Sequence, residues 1–357
     1  MKRFNTLLLT GAAIWLLMSG APVCAQQLIT PTSVVEPIKP LHQLRQVGIV
    51  QSLAVAPNGK ILAVATRDER EVATIALWNL ENGQLLSSWN ASAEQMAFAP
   101  NSITLATANK AEIVLWSFTK AGNKTLVGPA LGANSLRFSP NGKTLVIGGS
   151  RKLGLGELWV WDLKANTKTV LTLPDANQIN ALAFSPDSTL LAAPKSNGLF
   201  EKLPEIGIWE VASMHPVSTL RDENVKGWIN GLTFSPDGNT LVSAHAGREV
   251  VAWDAKTGAI QSVLLAYEPT NGPPNSARGV AFSSDGRTLL ITANKWNDVS
   301  EGGELLMWDW SKGQMKRSLL PAESSVLRYF SVATNAPIMA GAPAFSSTVK
   351  VWRLPLP

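Results

Sequence analysis

Short runs of alternating apolar and polar residues repeat along the chain, and the clearest copy extends from Leu232 to Asp254. Its first run ends in the turn residues Ser-Pro-Asp-Gly, 235–238, and its second and third runs are separated by the polar corner 245–249. Period-two alternation interrupted by Asp-Gly or Asn-Gly is typical of antiparallel hairpins. This copy therefore predicts a four-stranded antiparallel sheet whose last strand follows Gly258.

The pattern occurs seven times, and each copy places a Trp at the end of its third run. These residues, 38 to 55 positions apart, are Trp78, Trp116, Trp161, Trp209, Trp253, Trp308 and Trp352. Such a period is typical of β-propeller blades. From residue 40 onward the chain resembles the WD-repeat family of β-propellers, in a divergent form of secreted, bacterial type. The resemblance implies an all-β fold of seven four-stranded antiparallel blades, with the seven Trp side chains packed between them.

Two departures from the family pattern shape the expectations for blade stability. Only Trp161, Trp253 and Trp308 are followed by Asp, and no Gly-His pair precedes the first strand of any copy. The family's His–Asp–Ser–Trp hydrogen-bond network is therefore not expected, and apolar packing between sheets should hold the blades. His245 is expected in the polar corner between the second and third strands of its copy.

The N-terminal segment has the features of a secretory signal. Lys2 and Arg3 precede an apolar run, and small residues around Cys24 favour cleavage after Ala25. We therefore expect a signal peptide at 1–25, a Pro-rich extended linker at 26–40 and the propeller at 41–357, in a secreted or periplasmic protein without a transmembrane segment. A lipoprotein acylated on Cys24 is the alternative.

The residues from Leu41 to Val47 match the fourth-run segments of the other copies, whereas the last copy stops soon after Trp352. An N-terminal strand is therefore predicted to complete the last blade. Such closure of the ring would remove an exposed sheet edge, which otherwise invites aggregation.

Charge and cysteine content exclude several classes of function. The formal net charge is +5, or +3 after loss of Lys2 and Arg3, with no run of five like charges. Nucleic-acid binding would require a basic face with stacking aromatic residues, so none is expected. Because Cys24 is the only cysteine, the mature chain should contain no disulfide, catalytic thiol or thiolate metal site.

The copies differ most at the corner between their second and third runs. Extra residues are predicted at 67–73, 150–157, 195–205 and 293–304, and in the connections 221–231 and 267–279. In an up-and-down blade these segments share one face, while the tight hairpins share the other. Long loops on a rigid scaffold commonly bind ligands. Insertions that drift on an unselected face are the alternative explanation.

The same face is predicted to carry a ring of hydrogen-bonding side chains at the mouth of the central channel. They are Gln51, Glu94, Asn134, Asn180, Asn230, Arg278 and Arg328. They could bind a partner, or merely cap strand ends and hold channel water. Trp228 and Trp296 lie outside the blade pattern and are candidate loop anchors, unless they only fold their own loops onto the sheet.

Residues for catalysis are scarce. The chain has three His, the predicted ring offers one carboxylate, and no Gly-x-Ser-x-Gly motif occurs. We therefore expect no enzyme activity, cofactor or metal, but a protein-interaction scaffold that binds another protein or peptide, presumed to reside in the cell envelope. A propeller hydrolase or lactonase that uses the channel, and a carbohydrate or cell-envelope binder, remain as alternatives.

Overall fold

The computed structural model of the chain describes residues 39–110, 112–118, 124–127, 132–152, 155–176, 178–197, 203–246, 249–265, 276–294, 303–318 and 327–355. The predicted signal peptide at 1–25 and the linker up to residue 38 lie outside these ranges. Within them the regular structure consists of 28 β-strands and no helix. The strands form seven four-stranded antiparallel sheets, which confirms the predicted all-β, seven-bladed propeller.

Each blade is built from four consecutive strands, except that the first strand of the chain belongs to the last blade. That strand is β1 (His42–Arg45). Blade 1 contains β2 (Ile49–Val55), β3 (Ile61–Arg67), β4 (Ala73–Asn79) and β5 (Leu85–Asn90), and blade 2 contains β6 (Gln95–Phe98), β7 (Thr104–Ala108), β8 (Glu112–Ser117) and β9 (Lys124–Val127). Blade 3 contains β10 (Ala133–Phe138), β11 (Thr144–Lys152), β12 (Leu155–Asp162) and β13 (Thr167–Leu173), and blade 4 contains β14 (Ala183–Phe184), β15 (Leu190–Asn197), β16 (Pro204–Glu210) and β17 (Pro216–Leu220).

The remaining blades follow the same order. Blade 5 contains β18 (Ile229–Phe234), β19 (Thr240–His245), β20 (Glu249–Asp254) and β21 (Ile260–Leu265). Blade 6 contains β22 (Ser276–Phe282), β23 (Thr288–Asn294), β24 (Gly303–Asp309) and β25 (Gln314–Ser318). Blade 7 contains β26 (Leu327–Val332), β27 (Ile338–Pro343) and β28 (Thr348–Arg353) and is completed by β1.

The ring is closed by the N-terminal strand, as predicted from the sequence. β1 pairs antiparallel with β28, in a register that sets His42 opposite Val351 and Arg45 opposite Thr348. Leu44 is buried in a cluster that also contains Leu53 of blade 1 and Val349 of blade 7. The closing strand therefore joins the sheet by backbone pairing and the core by its side chain.

Apolar packing between adjacent sheets forms the core. Each hydrophobic cluster combines residues of neighbouring blades; one, for example, joins Ile208 of blade 4 to Leu241 and Trp253 of blade 5. The seven repeated Trp residues all lie on the third strand of their blades. Five of them are buried, whereas Trp78 and Trp116 keep partial exposure.

Blade 5 adds a polar network that the sequence analysis did not expect. The indole Nε1 of Trp253 donates to the Ser243 hydroxyl at 2.7 Å, and that hydroxyl lies 2.8 Å from Nε2 of His245. His245 was expected in the polar corner after the second strand; it is instead the last residue of that strand, β19, and is only 1% exposed. The network uses a His from the second strand, so the missing Gly-His pair did not exclude it.

The position of Ser243 explains why the network is not repeated in every blade. The equivalent residues, matched by strand register, are Val64, Thr107, Ile147, Ala193, Ser243, Ile291 and Gly341. Thr107 accepts from Nε1 of Trp116 at 2.9 Å in blade 2. In blade 3 the apolar Ile147 leaves Nε1 of Trp161 buried without a hydrogen-bond partner. In blade 1, where the equivalent residue is Val64, Nε1 of Trp78 donates instead to Oε1 of Gln46 at 3.3 Å.

Candidate binding site at the channel mouth

The two faces of the propeller differ in the length of their connections. The turns between first and second strands are short and alike, from 56–60 in blade 1 to 333–337 in blade 7. On the opposite face the connections between blades are longer, as at 174–182 and 221–228. Residues 266–275 lie outside the described part of the chain. Loop length is therefore concentrated on one face, which we call the loop-rich face; the other is the short-turn face.

Some of the extra residues predicted at the corners between second and third strands belong to the strands themselves. The expected corner loops are therefore shorter in the structure than predicted. In blade 3, β11 continues to Lys152 and β12 begins at Leu155, so most of 150–157 is a longer hairpin. In blade 4, β15 continues to Asn197. Both extensions contain a register shift, between Ser150 and Lys152 and between Pro194 and Ser196. Such bulges let a ladder continue past an unpaired residue, which the spacing of turns alone could not reveal.

The predicted channel-mouth residues occupy a repeated backbone irregularity in the innermost strands. Register shifts skip Gln51, Asn134, Asn230, Arg278 and Arg328, each of which lies between two paired residues of its strand. In blade 2 the amide of Glu94 donates to the Ala108 carbonyl at 2.8 Å, although Ala108 is already the partner of Gln95. A bulged residue makes no pair with the neighbouring strand, and the bulge changes the direction of its side chain.

Four of the seven residues line one cavity of about 160 Å³: Asn180, Asn230, Arg278 and Arg328. The cavity lies within blades 3 to 7 and also contacts Arg137 of β10. Asn230 spans two blades here, because its Nδ2 donates to the Ala277 carbonyl at 2.9 Å. This contact gives Asn230 a structural role in addition to its place in the lining.

The other three predicted residues do not join this cavity. Gln51 and Glu94 line a separate space of about 30 Å³ with Thr66 and Arg67. Asn134 lines neither space. The predicted ring is thus divided in the structure into a larger cationic part and a smaller part that contains the single carboxylate.

The larger cavity is positively charged. Burial lowers the pKa of Arg278, and the neighbouring charge of Arg328 lowers it further. Arg137 keeps a water-accessible surface, yet the protein around it desolvates its guanidinium and lowers its pKa. Of the described residues that line this cavity, none is acidic.

Arg137 is a functional candidate that the sequence analysis missed. It lies three residues after the channel-mouth position of its blade, and the matching residues are Ala54, Ala97, Ala183, Thr233, Ala281 and Ser331. Six blades therefore carry a small side chain where blade 3 carries Arg. Comparison of the copies at this second position would have identified it from the sequence.

The two predicted loop anchors have different outcomes. Trp228 immediately precedes β18, its carbonyl accepts from the Ala246 amide at 2.8 Å, and the residue is 41% exposed. Its backbone therefore belongs to a fixed hairpin while part of its ring faces solvent. Trp296 lies outside the described residues.

The described part of the chain contains no group of three or more His, Cys, Asp or Glu residues placed to hold a metal ion. Nor does it include a helix of the length and apolar character needed to cross a membrane. The expected lack of metal, cofactor and catalysis stays a prediction.

Family models match two segments of the chain. Residues 214–254, which cover most of blade 5, match the "WD domain, G-beta repeat" model. Residues 88–197 match the model described as "Eukaryotic translation initiation factor eIF2A". Together with the seven-bladed fold, the first match supports a WD-repeat type of propeller.

Curated proteins are similar over parts of the chain. Apoptotic protease-activating factor 1 from Homo sapiens is 34% identical over 122 residues, which is 32% of this chain and 9% of that protein. Periodic tryptophan protein 2 from Arabidopsis thaliana is 25% identical over 216 residues, 60% of this chain and 21% of the relative. Small ribosomal subunit protein RACK1 from Drosophila melanogaster is 29% identical over 133 residues, 35% of this chain and 38% of the relative. The matches thus cover well under two thirds of each relative's length.

Proposed function

We propose that this propeller is a non-catalytic interaction scaffold that binds a protein or peptide partner through its loop-rich face. The observation that carries the proposal is the concentration of long connections on one face, around bulged polar residues that converge on a channel cavity. Loops positioned by a rigid scaffold commonly carry binding. The similarity to RACK1, which is described as a ribosomal subunit protein, supports a role within an assembly.

The partner would contact Arg278 and Arg328 at the cavity and Trp228 beside it. Arg and Trp are enriched among the few residues that dominate interface energies. Because affinity depends on such anchors more than on total area, removal of two of them should weaken binding strongly. Gln51, Glu94 and Asn134 would contribute to the periphery of the same surface.

Pull-down from the native compartment tests this proposal. The double variant Arg278→Ala/Arg328→Ala should lose the partner that the parent retains, by about tenfold or more for two anchors. The matched control, Arg287→Ala/Arg353→Ala, removes two exposed arginines from the short-turn face and should retain it. Equal retention by the two double variants would contradict the proposed location of the interface.

We further propose that the chain is exported, with cleavage after Ala25. The charged start, the apolar run and the small residues around Cys24 support this proposal. Mass spectrometry of the intact mature protein tests it: a chain that begins at residue 26 is expected. A lipid-modified Cys24, or an uncleaved chain, would contradict this cleavage.

A further inference from the structure

Three arginine side chains, Arg137, Arg278 and Arg328, line a single cavity in the channel. They come from the innermost strands of blades 3, 6 and 7, so the ring closure brings together residues that are far apart in the sequence. None of the described residues that line this cavity is acidic. All three side chains keep solvent-exposed surface, so an anion from solution can reach them.

Of the three arginines, Arg137 is the one that a purely structural role explains least. All six equivalent positions carry Ala, Ser or Thr, so the fold does not require a large side chain there. Its Nη1 donates to the Leu136 carbonyl at 2.9 Å. A guanidinium has five donors in a planar fork, and the exposed Arg137 side chain forms part of the cavity lining.

Neighbouring groups add to the positive character of the cavity. Arg328 lies close enough to Arg278 to disfavour its charged form, which shows that the two guanidinium groups repel each other. The Asn180 side chain adds an amide to the lining. A cleft lined by charges of one sign raises the local concentration of oppositely charged ligands.

We propose that this cavity is a binding site for a small oxyanion with at least two negative charges, carried by phosphate or carboxylate groups. Planar guanidinium groups bind both kinds of group through paired hydrogen bonds. The volume of about 160 Å³ is several times the space that one water molecule requires. The site shares Arg278 and Arg328 with the proposed partner surface, whereas Arg137 belongs to the cavity alone.

Calorimetric titration of the intact protein with inorganic phosphate and, separately, with citrate tests the proposal. Chloride keeps the ionic strength constant. We expect saturable binding of at least one of the two anions, and Arg137→Ala should weaken it by about tenfold or more, through loss of charge-assisted hydrogen bonds. This variant copies the residue of blades 1, 2 and 4, so it should fold; Arg137→Ser, which copies Ser331 of blade 7, serves if it does not.

Arg287→Ala is the matched control, because it removes the same charge from an exposed turn on the short-turn face. It should bind the anion as the parent does. Equal affinity of the parent and Arg137→Ala would overturn the proposal. So would the lack of saturable binding by phosphate, citrate and a glutamate-rich peptide alike.

The glutamate-rich peptide also distinguishes the source of the oxyanion. If only the peptide binds, and Arg137→Ala weakens that binding, the site is supported and its ligand is a carboxylate of an acidic polypeptide. Binding of phosphate or citrate supports it with a free small molecule as the ligand. A failed pull-down of a protein partner would leave these titrations unaffected, so the two proposals can fail separately.

Discussion

Acidification should destabilise the propeller through one residue, His245. The side chain is almost fully buried in blade 5, where Nε2 lies 2.8 Å from the Ser243 hydroxyl. Burial lowers the pKa of His245 from 6.5 to about 4, and a smaller contribution from the backbone of Gly227 opposes the shift. The folded protein therefore keeps the imidazole neutral at pH values where the unfolded chain would protonate it.

The size of the effect follows from the linkage between protonation and folding. Each unit of pKa difference corresponds to about 1.4 kcal/mol. The contribution of the neutral imidazole to stability is complete above pH 6.5 and is lost progressively as the pH falls towards about 4. The full difference is about 3 kcal/mol, of which about 2 kcal/mol should be lost by roughly pH 5.

Urea unfolding followed by Trp fluorescence, near neutral pH and at about pH 5, measures this loss. The control is His245→Gln, which keeps a polar side chain next to Ser243 but cannot titrate. Other groups titrate in both proteins and cancel in the comparison. The Ser235 hydrogen bond lowers the pKa of Asp237 from 3.8, so that carboxylate loses its contribution only at lower pH. If parent and variant lose equal stability between the two pH values, the reasoning about His245 is refuted.

Two substitutions test the packing and the polar contacts elsewhere. Leu44→Ala removes a side chain of the closing strand that is 4% exposed, and it should reduce the free energy of unfolding by about 2–4 kcal/mol. The control Leu41→Ala removes a side chain that is 42% exposed and should cost less than about 1 kcal/mol. Equal losses in urea titrations would contradict the role of β1 in closure. Thr107→Val should cost about 1 kcal/mol by the same measurement, because it leaves Nε1 of Trp116 without its acceptor. No change in stability would show that water replaces the hydroxyl.

The sequence predicted the fold well because its signals are local and repeated. Asn-Gly and Asp-Gly turns appear beside alternating apolar residues, and each turn fixes the register of its hairpin. The closing strand was predictable for a related reason: Leu41–Val47 follows the pattern of a fourth strand, and blade 7 had an unfilled edge beside β28. Repetition lets each copy confirm the others.

The lining of the channel was less predictable, because small backbone irregularities and the closure of the ring determine which residues come together there. The sequence placed seven polar residues at equivalent positions, but could not show that Asn180, Asn230, Arg278 and Arg328 share a cavity that excludes Gln51 and Glu94. Arg137 was overlooked because it lies within an alternating strand and not at a turn. Comparison of the seven copies at its position, where the other six carry Ala, Ser or Thr, is the sequence signal that distinguishes it.

The bulges explain how the same fold can present different chemistry in each blade. A bulged residue makes no ladder pair, so its side chain is not selected for strand pairing or sheet packing. Leu136, Leu232 and Val280, two residues further on, are buried and apolar in all three blades, whereas the bulged residues before them are Asn134, Asn230 and Arg278. Substitution at a bulge should therefore alter the channel at little cost in stability. Arg137 differs, because it is paired within its strand. Since the six matching positions carry Ala, Ser or Thr, strand pairing does not require its length or its charge, which are specific to blade 3.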